Sequence, residues 1–373
     1  MKHAHIPSRP LSAVLLPAIL AMLSACGGGG EGGSEAAETA AASDGATVSA
    51  LALRKSKLPA PSPSPTVLTP SASSAGLTDA QRTAAATATA QSATNICGAI
   101  RPFYWEIGNS AGKTTSGSIK SATSTTTYTS TASISLASAS KWIYGSYVAQ
   151  RLNGALSPQD IKYMTMRSGY NNLSSCPQTG TVDSCLSYAG NGAYNAAADG
   201  KFYYDGGHFE KHASLSGLGA MNGKMLTSTI MGQLGTDIKL AYSQPLLAGG
   251  AYGTPDAYAL FLRKVLKKEL KISGLLGTNA ACTNKATCPS GTALSAPIPP
   301  NESWHYSIGH WVEDDPKVGD GAFSSPGAFG FYPWIDSSRT YYGVVARMVS
   351  GGAVTSMQCG RLIRKAWLTG AAL

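Results

Sequence analysis

Charge is scarce in this chain of 373 residues: Asp, Glu, Lys and Arg make up 13 % of it. No two cysteines stand as Cys-x-x-Cys and no His-Glu-x-x-His occurs, so the common sequence signatures of a zinc site are missing. The most apolar stretch, LSAVLLPAILAML from Leu11 to Leu23, falls short of the roughly 20 residues that a membrane-spanning helix needs. Long blocks of one charge are also lacking. The net charge of +9 is dispersed except in LRKVLKKELK, residues 262–271. Thr254 as N-cap and Pro255 at the first helical position predict a helix there. Its apolar face is Leu260, Phe261, Val265, Leu266 and Leu270. The basic residues are left on a solvated face, and no nucleic-acid partner is expected.

The first 26 residues read as an export label. Lys2 and Arg9 precede the apolar stretch, and Leu23-Ser-Ala-Cys26 resembles the bacterial lipobox, in which the cysteine is lipidated and becomes the first mature residue. Membrane attachment would then run through Cys26, in an outer-membrane or periplasmic lipoprotein. Residues 27–77 are rich in Gly, Ala, Ser and Pro and lack aromatic residues, as expected of a linker. The folded part is 78–373, with a helical subdomain at about 155–300. Six cysteines remain once Cys26 is set aside, an even number that suits an oxidising compartment. Short spacing favours Cys176–Cys185 and Cys282–Cys288 as loop staples, which leaves Cys97 for Cys359.

Strand signals occupy both ends of the folded part. AIRPFYWEIGN and TTSGSIKSA near the start match SWHYSIGHWVED, GAFGFYPWID and TYYGVVARMVS near the end. Helices are predicted at 77–93 with Thr78 as cap, from Ser157-Pro158 onward, and over the closing SMQCGRLIRKAW. The fold class is α+β: an antiparallel sheet flanked by terminal helices, with helices inserted between its two halves.

At residue 138 a Ser-rich approach turns helical, with Trp142, Ile143, Tyr147, Val148 and Leu152 at helix spacing. Ser138 and Lys141 are three apart and would share one face. A hydroxyl beside a lysine drawn out of water is an activated nucleophile, because desolvation disfavours the ammonium. The helix N-terminus favours negative charge developing there. Helix capping is the other role open to Ser138. A second Ser-x-x-Lys, Ser110–Lys113, sits in a Gly-containing turn with no helix to hold it. His208 and His212 are one turn apart with Glu210 rotated off their face, which is half a metal site at most. His305 and His310 lie among strand aromatics. Asp336 stands at a turn, where it bonds its own backbone. No Gly-x-Ser-x-Gly elbow leads from a strand signal into a helix signal, so a Ser-His-Asp triad has no anchor.

Five segments in order resemble the serine hydrolases of the penicillin-binding-protein and class C β-lactamase superfamily. ASISLASASKWIYGSYVAQ resembles the nucleophile segment and YMTMRSGYNN the segment after it. GKFYYDGGHF resembles the second motif, Tyr-x-Asn, and YSIGHWVE and SSPGAFGFYPWIDSSRTYYGVVARM the last strands. The likeness covers about 97–371. It implies Ser138 as acylated nucleophile, Lys141 as its proton partner and Tyr204 as general base. It also implies Ser325-Pro326-Gly327 as the third motif on an edge strand, and an oxyanion hole from the N–H groups of Ser138 and Ala328. It calls for no metal and no organic cofactor.

Two departures bear on the substrate. Gly206 stands where the second motif has Asn, although Tyr170-Asn171-Asn172 spells that motif earlier. Ser325 stands where a Lys or His would grip a substrate carboxylate. An ester or amide with an uncharged acyl group is therefore expected ahead of a β-lactam or a D-Ala-D-Ala peptide. The other class of reading is a cell-envelope binding protein that keeps the fold without the chemistry.

Overall fold

The computed structural model describes residues 76–373. The expected leader, Cys26 and nearly all of the expected linker lie outside the described residues. The main sheet has eight strands: β1 (Phe103–Asn109), β2 (Lys113–Ile119), β3 (Ala281–Cys282), β4 (His305–Tyr306), β5 (Trp311–Glu313), β6 (Ala322–Ser324), β7 (Tyr332–Ile335) and β8 (Tyr341–Ala346). Their spatial order is β2-β1-β8-β7-β6-β5-β4-β3, with every neighbouring pair antiparallel. The first two strands thus enter beside the last, and the sheet closes only when the chain returns. Five helices frame the site: α1 (Asp79–Gln91), α2 (Ser140–Arg151), α3 (Gly207–Ala213), α4 (Pro255–Leu266) and α5 (Ala353–Thr369).

Alternation along β8 sends neighbouring residues to opposite faces. Tyr341 meets Trp367 of α5 edge-on at 5.4 Å. Tyr342, one residue on, takes a 2.9 Å hydrogen bond from Arg263 of α4. The terminal helices α1 and α5 therefore pack on one face and α4 on the other. Thr78 caps α1 with a capping box, Ser157 does the same for the helix Pro158–Met164, and Thr254 caps α4 with Pro255 following, as the sequence predicts.

Helix α4 stops at Leu266 instead of running through Leu270. Lys268 adopts a left-handed conformation (φ 61°). Its N–H donates to Val265 O and that of Glu269 to Lys264 O, both at 3.0 Å. This is a Schellman ending. It turns the chain so that Leu270 is buried from the following segment.

Residues 155–300 are mostly short helices and loops. Two small sheets accompany them, Ile134–Ser135 with Ala251–Gly253 and Ala241–Tyr242, and Phe202–Tyr203 with Ala293–Ser295. Strand β3 lies within this stretch yet belongs to the main sheet, so the inserted region and the sheet interlock before residue 300. The cysteines pair as their spacing suggests: Cys97–Cys359, Cys176–Cys185 and Cys282–Cys288. Three disulfides suit an oxidising compartment outside the cytoplasm. No helix among the described residues is long and apolar enough to cross a membrane.

Candidate active site

Helix α2 is buried over Ser140–Ala149, so polar groups at its start are drawn into the interior. Trp142 anchors it, stacked on His310 at 5.4 Å and edge-on to Phe261 at 6.1 Å. Ser138 does not open the α-helix. It sits in a tight 3-10 turn, Ala137–Ala139, that leads into α2, and the preceding Ala137 is left-handed (φ 44°). A non-glycine residue in that region stores backbone strain of about 1–3 kcal/mol, which the surrounding packing holds in place. The expected side-chain contact survives this difference. Lys141 Nζ lies 3.0 Å from Ser138 Oγ and donates at 2.8 Å to Ala248 O. Ser138 is 8 % exposed and Lys141 2 %.

Above them opens a cavity of about 410 Å³. Ser138, Tyr204 and Ala328 line it beside Trp304, Trp311 and Met357, and no ionisable Lys, Arg, His, Asp or Glu side chain is among its lining residues. Tyr204 is fixed by a hydrogen bond from its N–H to Ser295 O (3.0 Å) and by stacking on Trp311 at 5.2 Å. The Lys141 ammonium sits over the Tyr204 ring, 4.9 Å from its centroid. The second-motif tyrosine thus meets the lysine through its ring face, where the resemblance implies a phenol poised for proton transfer.

Three residues expected at the substrate face, Ser325, Gly327 and Gly206, are not among those lining the cavity. Ser325 is buried and its hydroxyl donates to Ser138 O at 3.0 Å, so it braces the nucleophile turn and does not face the cavity. The third motif also does not follow an edge strand: β6, which leads into it, is interior, between β7 and β5. Gly327 has no room for a side chain, since a Cβ there would lie 2.2 Å from Leu136 O. That close approach brings Ala328 to the cavity beside Ser138. Gly206 is buried under Leu173 and Ala248; a Cβ would lie 2.4 Å from Leu173 Cδ2 and 3.0 Å from Ala248 Cβ. Gly206→Ala is expected to cost about 1–3 kcal/mol in thermal unfolding, part of it recovered by Leu173→Ala, which clears the space.

The remaining candidates serve other ends. Lys113 pairs with Asp256 at 3.2 Å, away from Ser110. Residues Gly108–Gly112 do spell Gly-x-Ser-x-Gly, but they turn the β1–β2 hairpin and do not join a strand to a helix. Tyr170 stacks on Tyr163, and Asn172 donates to Gly190 O. His208 bonds Ser168 and Tyr203 O, and His212 bonds Tyr144 and Asp160. Burial holds the His208 imidazole down at about 3, so it stays neutral. His305 pairs with Asp314, His310 with Ile308 O and the Gly277 N–H, and Asp336 accepts from the N–H groups of Thr340 and Tyr341.

Sequence reasoning missed two buried carboxyl groups beside the lysine. Burial raises Asp205 to about 6, although it accepts from the N–H groups of Gly207 (2.7 Å) and Leu173 (3.1 Å). Burial raises Glu210 to about 8. In the structure α3 buries every residue except Lys211, which leaves its one acid no route to water, and no sequence pattern marks either carboxyl as buried.

No family model matches the sequence, and no curated protein matches it. Solved structures do. EstCE1, described as a hydrolase with promiscuous acyltransferase activity, superposes with a TM-score of 0.56 at 11 % identity, covering 78 % of this chain and 99 % of its own. A penicillin-binding-protein homologue from Caulobacter crescentus gives 0.56 at 13 % identity over 77 % and 97 %. The simvastatin synthase LovD of Aspergillus terreus gives 0.51 at 11 % identity over 78 % and 97 %. At such identities the shared property is architecture, and the chain has the β-lactamase/transpeptidase-like fold.

Proposed function

We propose that the protein is a serine hydrolase that works through an acyl-enzyme on esters, and secondarily amides, of uncharged apolar acyl groups. The observation that carries this reading is the 3.0 Å contact between Ser138 Oγ and Lys141 Nζ at the floor of a cavity walled by Trp304, Trp311 and Tyr204. Ser138 Oγ adds to the ester carbonyl carbon, and its proton passes through Lys141 or Tyr204 to the departing alkoxide as the C–O bond breaks. Water then adds to the acyl carbon, the bond from that carbon to Ser138 Oγ breaks, one water proton goes to Oγ, and the carboxylic acid leaves. The N–H groups of Ser138 and Ala328 are the donors proposed for the oxyanion, a contribution of a few kcal/mol. An apolar wall without charge favours neutral acyl chains and offers nothing to a carboxylate.

The test is a series of p-nitrophenyl esters from acetate to octanoate. Specificity should climb by up to about fourfold per added methylene, the yield of burying one CH₂, until the cavity is full. A carboxylated acyl group of the same size should be a poor substrate. Turnover of nitrocefin faster than of any ester would overturn the preference for esters. Inertness to every ester and to fluorophosphonates would favour the binding-protein reading, which the buried, braced Ser325 hydroxyl supports.

A further inference from the structure

The place that Asn would take in the second motif is filled from another part of the chain. At Gly206 the space for a side chain is occupied by Leu173 and by Ala248, from the loop 244–250 that precedes the strand Ala251–Gly253. That loop supplies the polar contact too, because Ala248 O accepts from Lys141 Nζ at 2.8 Å. The same residue is tied on its other side: the Ala248 N–H donates to Glu210 Oε1 at 3.2 Å. Glu210 is completely buried, and its second oxygen, Oε2, has no partner among the described residues. An acid held this way is costly unless it does something for its surroundings.

We infer that Glu210 is a positioning residue for Lys141: it pins the Ala248 segment so that the Ala248 carbonyl holds the ammonium against Ser138, in place of the absent second-motif asparagine. This rests on the acyl-enzyme reading above. The groups facing Glu210 are Lys141 and Tyr144 from α2 and Tyr242 from the strand Ala241–Tyr242. Lys141 favours the carboxylate; burial and Glu210 together push both tyrosines up, so neither ionises near neutrality. Burial sets Glu210 at about 8, so at pH 7 it is mainly the neutral acid, whose carbonyl oxygen still accepts from Ala248. Glutamine reproduces that acceptor and removes the titration.

The experiment measures the rate at which Ser138 is labelled by a fluorophosphonate in the full chain, as wild type, Glu210→Gln and Glu210→Ala. At pH 7 the Gln variant should keep the wild-type rate. The Ala variant should lose about 10–100-fold in maximal rate with little change in half-saturating concentration, as for a displaced reacting group. Above a pH of about 8 the wild type should diverge from Gln, because a buried carboxylate then stands where the neutral acid was; below it the two should coincide. A Gln variant that loses about 10-fold or more at pH 7, although it keeps the acceptor, overturns the inference even if the Ala variant fails to fold. Equal rates for wild type and Ala overturn it as well. If wild type is never labelled, the hydrolase reading fails instead. The positioning role is then decided by the Nζ resonance of Lys141 in ¹⁵N-lysine protein, assigned by its loss in Lys141→Arg. It should move in Glu210→Ala and hold in Glu210→Gln at pH 7, and a resonance unmoved in both overturns the role.

Discussion

Ser138→Ala should abolish fluorophosphonate labelling and lower ester turnover by about 10⁴–10⁶-fold, the usual loss when a nucleophile of this kind is removed. The fold should be untouched. Among the described residues, the Ser138 side chain has one hydrogen bond, from Lys141, and the brace from Ser325 goes to its main-chain oxygen, which alanine retains. Intact mass before and after the reagent reads the first effect, and the unfolding midpoint reads the second. An adduct of unchanged yield on the Ala variant would place the nucleophile elsewhere. Lys141→Met should cut the rate nearly as far, since it removes the only side chain bonded to that hydroxyl among the described residues.

Glu313→Gln should lower stability by about 2–3 kcal/mol, because Arg361 and Arg364 lose the buried carboxylate they share and keep one partner each, Glu302 and Asp320. Glu313 Oε2 accepts from Arg361 Nε at 2.8 Å and Arg364 Nη2 at 2.9 Å, while Oε1 accepts from Tyr332 at 2.7 Å and from Ser324. Burial alone would raise this carboxyl; Arg364 and Arg361 outweigh burial and hold it at about 2. The folded state therefore binds fewer protons than the unfolded chain in acid, and stability rises with pH there. The contribution is complete above the ordinary value of 4.5 and is lost as pH falls from there toward 2. Thermal unfolding should drop by roughly 10 °C in the Gln variant at neutral pH, and its midpoint should be flatter than the wild type's through that acid window. A wild-type midpoint that stays level through the same window would contradict this account.

Much of the framework was legible because it depends on near neighbours. Thr78, Ser157 and Thr254 announce helix starts with a side-chain oxygen and a partner a few residues on. Cys176 and Cys185, and Cys282 and Cys288, are close enough in the chain that pairing follows from reach. Ser138 and Lys141 were found for the same reason. What escaped depends on the main chain or on distant contacts. The left-handed Ala137 turns a predicted helix start into a 3-10 turn, and nothing about alanine advertises that conformation. Lys268 ends α4 in a conformation usually given to glycine. Ser325 was expected to face substrate, but its hydroxyl finds Ser138 O, a backbone acceptor with no sequence signature. Ala248 is invisible for the same reason, because only its carbonyl and N–H matter. Beyond β6, β4 and β5 fall within the strand signal SWHYSIGHWVED, but β3 was missed because it is two residues long, too short for alternation to show.

The bond between Cys97 and Cys359 spans 262 positions and joins the segment just before β1 to α5. A chain made from its N-terminus onward cannot form it until the last helix has been delivered and has docked. Its oxidation thus reports a finished molecule. A product cut short before residue 359 would lack the partner of Cys97 and leave that thiol open to exchange with other disulfides.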